Sequence, residues 1–166
     1  FQLLFYIAYL FLTSWIFIEG ASWIWSATGT VDAYVRIVSF SLLTFVGLTS
    51  LSVAMKWILI GRFREQQIPI WGAGYFRFWL ARQFIRTSPT VFFKGSPLYN
   101  VYLRMLGARI GKGVVIYSKF VPVCTDLISI GNNTILRKDS IFLGYKAQAG
   151  YIHTGSVTIG ENAFVG

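Results

Sequence analysis

The chain has 166 residues, 55% of them hydrophobic and 18% aromatic but only 13% charged, with a net charge of +9. An ordinary soluble domain has roughly 25% charged residues, and here the deficit is local. Residues 1–18 and 37–55 carry no charge, whereas residues 56–119 hold eleven of the fifteen Lys and Arg against one acid, Glu65. Such segregation argues for a bilayer and against one large soluble core, and the single cysteine, Cys124, excludes an internal disulfide framework.

In chain order, the first apolar stretch opens at Phe1, which is not an initiator Met, and Gly166 falls within a repeat, so a fragment of a longer chain is expected. A cleaved signal peptide fits poorly, because no basic segment precedes the apolar run and no small-residue cleavage site follows Ile18. The second run, IVSFSLLTFVGLTSLSVAM, is 19 uncharged residues, or about 28 Å of helix against a hydrocarbon core of roughly 30 Å. Two transmembrane helices are therefore expected, over about residues 1–18 and 37–55, joined by a loop over residues 19–36. That loop holds Trp23, Trp25 and Tyr34, suited to an interfacial belt, with two acids and one Arg. Lys56, Arg62 and Arg64 follow the second span, so the loop is expected outside and residues 56–166 in the cytoplasm.

Residues 75–86, YFRFWLARQFIR, predict a helix lying on the membrane surface. Phe76, Trp79, Leu80 and Phe84 share one face of its wheel, with Arg82 and Arg86 roughly opposite. The basic charge borders a span and no binding motif accompanies it, so no nucleic-acid partner is expected. Ser96-Pro97 predicts the start of a further helix, with Leu98, Val101, Tyr102 and Met105 as a stripe packed on the next domain and Gly107 at its end.

From Ile110 the period changes to six. Ile110, Ile116 and Pro122, then Ile130, Leu136 and Phe142, then Ile159 and Val165 each lead a six-residue unit. Four places after leads stand Val114, Thr134, Ser140 and Ala163, all small or β-branched. This pattern predicts a left-handed parallel β-helix of 18-residue coils, with two extra residues in the first coil and eleven in the second emerging as loops. The expected fold class is thus an α+β membrane protein. It comprises a transmembrane hairpin over residues 1–60, a basic aromatic segment of membrane-surface helices over 61–109, and a truncated left-handed β-helix over 110–166.

The β-helix is the fold of hexapeptide-repeat acyltransferases. A closer resemblance runs from Lys56 onward. KWILIGRF, the aromatic-Arg stretch, SPLYNVYLRMLGARIG, CTDLISIGNNTILRKDS and GYIHTGSVTIGENAFVG together resemble the C-terminal membrane region of poly-lysine-synthetase-type nonribosomal peptide synthetases. The resemblance implies a region that takes an acyl or aminoacyl group from a phosphopantetheine-linked thioester on a carrier domain and joins it to an amine or hydroxyl acceptor. It also implies adenylation and carrier domains upstream as partners, beside the lipid bilayer and a homotrimer built through the β-helix.

Such transfer needs a general base. The lone histidine, His153, lies in the eleven-residue insertion and is the candidate, against the alternative of a solvated loop residue. Asp126, Asn133, Tyr145 and Ser156 are candidate substrate-binding residues. For Asp126 an amine site and a turn hydrogen bond stand as equal readings, and Asn133 also suits a coil corner. Arg137, Lys138 and Lys146 are candidates for the phosphate of a carrier arm, or a solvated face. Cys124 reads as a small buried residue more readily than as a nucleophile. No metal-ligand spacing occurs, and each glycine is explained by the repeat, so neither a metal nor a phosphate loop is expected. Two other functions compete: a non-catalytic platform for oligomerisation or carrier docking, and a transporter, the latter weakened by spans without ionisable residues.

Overall fold

A computed structural model describes residues 2–166, which fall into two compact units, 2–46 and 47–166. In the first unit α1 spans Gln2–Trp25, and α2, Thr30–Leu59, runs on into the second unit. Both helices are long and apolar enough to cross a membrane. Many of their apolar side chains are exposed, among them Leu3, Leu10, Phe17 and Ile18 of α1 and Leu42, Leu43 and Val46 of α2, while Val53 near the end of α2 packs on the core of the second unit. A helix of a soluble core would bury one stripe of these. Gly20 is buried on α1, and a Cβ there would strike the ring of Phe40, so a glycine lets the two helices approach.

The expected 19–36 loop is mostly helix, and the connection is only residues 26–29. The polar residues that close the apolar runs fold into the helix ends. Arg36 pairs with Asp32 one turn away at 3.0 Å and donates to the Trp23 carbonyl and Ser26 Oγ, each at 2.7 Å. Asp32 Oδ2 accepts from the Thr28 N–H at 3.1 Å, an acid placed where the α2 N-terminus favours one.

In the second unit the periodic segment forms two three-stranded parallel sheets. One is β2 (Arg109–Ile110), β4 (Ile128–Ile130) and β8 (Val157–Ile159); the other is β3 (Val115–Ile116), β5 (Ile135–Leu136) and β9 (Phe164–Val165). Ile110, Ile130 and Ile159 stand in register, as do Ile116, Leu136 and Val165. Ile110, Ile116, Ile130 and Leu136 are buried, and Pro122 and Phe142 are buried at the third lead position without forming strands. The corner position Gly113, Asn133, Asn162 is left-handed at every level, with φ of 69°, 53° and 53°.

The insertions fold. The two extra residues make a 3₁₀ turn at Thr125–Leu127. The eleven extra residues make a hairpin, β6 (Tyr145–Gln148) and β7 (Tyr151–Thr154), to which β1 (Gln67–Pro69) adds as a third antiparallel strand. Thr154 Oγ1 bridges this junction, donating to the Arg64 carbonyl at 2.7 Å and accepting from the Gln66 N–H at 2.9 Å.

Two helices then pack on the ladder with faces other than those expected. Helix α3, Ala73–Thr87, buries Phe78, Trp79, Ala81 and Ile85, while Phe76 is exposed. Arg82 does not point away: its guanidinium lies 5.9 Å from the Tyr145 ring, whose edge meets Phe78 at 5.2 Å. Helix α4, Pro97–Met105, starts and stops where expected but buries Tyr99, Asn100, Tyr102 and Leu103. Three of the four stripe residues expected to pack on the next domain, Leu98, Val101 and Met105, are exposed. The wheel identifies apolar residues, but the aromatic partners on the hairpin and ladder decide which arc is covered.

Candidate functional site

Three of the five candidate residues come together on the hairpin. Tyr145, His153 and Ser156 line one groove with Lys146 and Thr154. Strand pairing puts His153 directly across from Lys146 on one side and Gln67 on the other, and Tyr151 meets its ring edge-on at 6.4 Å. His153 is therefore a partly exposed strand residue and not a loop residue. Among the described residues no hydrogen bond or ion pair orients its imidazole. At the groove's end Glu65 Oε1 accepts from the Ser156 N–H at 3.1 Å; the Ser156 side chain first, and this backbone bond second, hold the Glu65 carboxyl below its ordinary range.

Asp126 and Asn133 lie elsewhere. Asp126 Oδ2 is 2.7 Å from Lys56 Nζ and accepts from the Phe63 N–H at 2.9 Å. An ammonium does occupy this carboxylate, and it is the chain's own. Lys56 is fully buried, with its charge 3.7 Å from the centre of the Trp57 ring. Neighbouring Cys124 is buried too, and burial, followed by the charge of Asp126, pushes its thiol up to about 12, so the thiolate that a nucleophile needs is absent at neutral pH. Asn133 occupies the coil corner, its amide toward Asn162 at 3.4 Å. Beside it Asn132 accepts from the Lys112 N–H and donates to Glu161, both within 2.8 Å.

A second groove, of about 700 Å³, lies along the outward face of β3, β5 and β9. Tyr117, Ile135 and Phe164 make its apolar floor, and Lys94, Lys119, Arg137 and Lys138 surround it. Lys94 donates to the Lys119 carbonyl at 2.7 Å, and desolvation, then the nearby Arg86 charge, hold its ammonium below its ordinary range. Lys119 reaches Asp139 at 3.1 Å, and the Arg137 guanidinium lies 5.8 Å from the Phe164 ring. Two of the three cations suggested for a carrier arm meet here; Lys146 lies instead on the hairpin. Lys94 and Lys119 had no signal as isolated lysines. The outward positions one place before each lead, Ile135 and Phe164, were the readable clue, since alternation in a strand exposes them.

No protein-family model matches the chain, and no solved structure matches it. Over 142 residues, 83% of its length, it is 31% identical to Delta-poly-L-ornithine synthetase of Acinetobacter baumannii (strain AB307-0294). The chain is similar to a segment of a poly-amino-acid synthetase. It spans 11% of that protein's length, a proportion that makes it comparable to one region of a much larger enzyme. The relation to poly-amino-acid synthetases implied by the motifs from Lys56 onward is thereby supported.

Proposed function

We propose that this chain is a membrane-bound module of a nonribosomal peptide synthetase-like enzyme, transferring an aminoacyl group from a carrier-bound thioester to an amine or hydroxyl acceptor. The observation that carries the reading is the hairpin groove, where the sole histidine stands on a strand across from Lys146 and beside Ser156 and Tyr145. The similarity to a poly-ornithine synthetase supports the class of reaction. In this reading the two parallel sheets belong to a left-handed parallel β-helix that holds both grooves on a rigid frame.

A phosphopantetheine arm supplies the activated acyl group when its carrier docks. The basic groove fits such an arm by its donor set: four cations for a phosphodiester around an apolar floor for the uncharged stem. His153 accepts the proton of the attacking amine as the new C–N bond forms and the C–S bond breaks; that proton then passes to the leaving thiolate. Loss of such a base typically costs roughly 10²–10⁴ in rate. His153→Ala should therefore slow single-turnover transfer from a loaded carrier by a factor in that range, with carrier binding unchanged. Unaltered transfer would remove His153 from the chemistry. The second reading is a carrier-docking or trimerising platform, and unchanged transfer from a His153→Ala chain that sediments as a trimer would favour it.

For the membrane segment, the proposal is that the 26–29 connection faces outside and the chain from Lys56 onward faces the cytoplasm, following the basic residues Arg62, Arg64, Arg77, Arg82 and Arg86. Protease added outside right-side-out vesicles should leave the segment beyond Lys56 intact. Cleavage there would reverse the orientation.

A further inference from the structure

The exposed stripe of α4 and the 3₁₀ turn Pro89–Phe93 before it are tied to α2 at three levels. Thr49 and Thr90 hydroxyls are 2.9 Å apart, Ser52 Oγ is 3.1 Å from the Tyr102 hydroxyl, and Trp57 Nε1 donates to the Met105 carbonyl at 3.0 Å. Along α2, Thr49 and Ser52 lie within the uncharged run that ends at Met55. At 1.5 Å per residue, Thr49 is about 9 Å inside that end and Ser52 about 4.5 Å inside it. The half-thickness of the hydrocarbon core is roughly 15 Å. The first two hydrogen bonds therefore carry the 3₁₀ turn and the middle of α4 to depths that α2, as a span, assigns to acyl chains, while the third, at Trp57, sets the Met105 end about 3 Å beyond the run.

The exposed side chains suit that depth. Phe92 is 90% exposed, and Leu98, Val101 and Met105 line the outer face of α4. Several polar groups of the same segment are turned inward: Thr90, Asn100 and the Tyr102 hydroxyl are buried, Asn100 donates to the Val114 carbonyl at 2.6 Å, and Tyr102 donates to the Ile85 carbonyl at 3.2 Å, while Lys94 points to the ladder groove and donates to the Lys119 carbonyl. The outer face of the segment is thus apolar, as a lipid-facing surface requires, while inside it the buried Tyr99 hydroxyl and Asn100 Oδ1 have no hydrogen-bond partner among the described residues. The first cation of the cytoplasmic side, Lys56, is fully buried against Asp126, so no exposed charge on α2 holds this level in water. Arg86, before the 3₁₀ turn, and Arg104, whose guanidinium donates to the Ile110 and Gly111 carbonyls, are exposed and suit anionic headgroups.

We infer that residues 89–105 form a wedge inserted into the cytoplasmic leaflet beside α2, with Phe92, Leu98 and Val101 against lipid chains and Met105 at the headgroup boundary. This inference rests on α2 being a membrane span, and the test separates the two. Bimane is attached to single introduced cysteines, Phe92→Cys, Val101→Cys, Leu43→Cys in the span and Lys112→Cys on the ladder, in protein reconstituted into vesicles of phosphatidylcholine and phosphatidylglycerol. Native Cys124 is buried and its thiol stays protonated, so it should take no label. All four sites are exposed or half-buried, so the fold should tolerate them.

Brominated lipid chains should quench the probe at Phe92, Val101 and Leu43 several-fold more than aqueous iodide does, with the reverse at Lys112. Iodide quenching at Phe92 and Val101, with lipid quenching retained at Leu43, would overturn the wedge and leave the span standing. Quenching by neither agent at Phe92 and Val101 would mean a covering protein surface and would also overturn it. Loss of lipid quenching at Leu43 would remove the span itself.

Discussion

Lys56 and Asp126 show how one residue pair can govern a junction. A buried ion pair is held only where its geometry offsets desolvation, and removing one partner strands a charge at a cost of about 3–5 kcal/mol. Here the ammonium also faces the Trp57 ring, and the carboxylate also takes the Phe63 N–H, so both groups are well engaged. Space for them depends on Gly107, which ends α4 at φ 106°; a Cβ there would collide with the Asp126 carboxylate. Asp126→Ala should lower unfolding stability in detergent by about 3–5 kcal/mol, whereas replacing both partners, Lys56→Met with Asp126→Leu, should recover most of that loss. Equal losses in the single and double variants would show that the pair's charge is not what matters. A carboxylate that reads as a ligand for a substrate amine thus serves an internal one. No local pattern could show that, since its partner lies 70 positions earlier in the chain.

Among the elements, the ladder was the most legible, because a six-residue period repeats the same physical demand at every level. Ile110, Ile130 and Ile159 are in register as the period requires, and the left-handed corner recurs at Gly113, Asn133 and Asn162. Leu136 is fully buried between Ile116 and Val165. Leu136→Ala should therefore destabilise the second unit by about 2–5 kcal/mol, the usual range for a buried leucine, as measured by denaturant unfolding. An effect below about 1 kcal/mol would mean that this position is not packed as described. The helices were legible in extent but not in orientation. On α4 the apolar stripe Leu98, Val101 and Met105 is real, yet Tyr99, Tyr102 and Leu103 take the core. On α3 the pairing of Phe78 with Phe63 and Tyr145 selects the buried arc.

For the whole molecule, length and charge segregation determined two apolar segments long enough to cross a bilayer, because hydrocarbon thickness and helix rise set that length independently of neighbours. The spacing of Ile, Leu and Val likewise determined the parallel stacking, since each lead side chain answers only to the next level of the ladder. Sequence alone also picked out Tyr145, His153 and Ser156, which the hairpin brings to one groove. Only the tertiary structure decided that this insertion is a strand pair joined by Gln67–Pro69, because β1 lies more than 70 residues before the hairpin and offers no alternating pattern of its own. It alone gathered Lys94 with Lys119, Arg137 and Lys138, and it alone tied Thr90, Tyr102 and Met105 to successive turns of α2. Periodic burial is written locally, residue by residue; which polar and aromatic groups meet across the chain depends on how the elements close on one another.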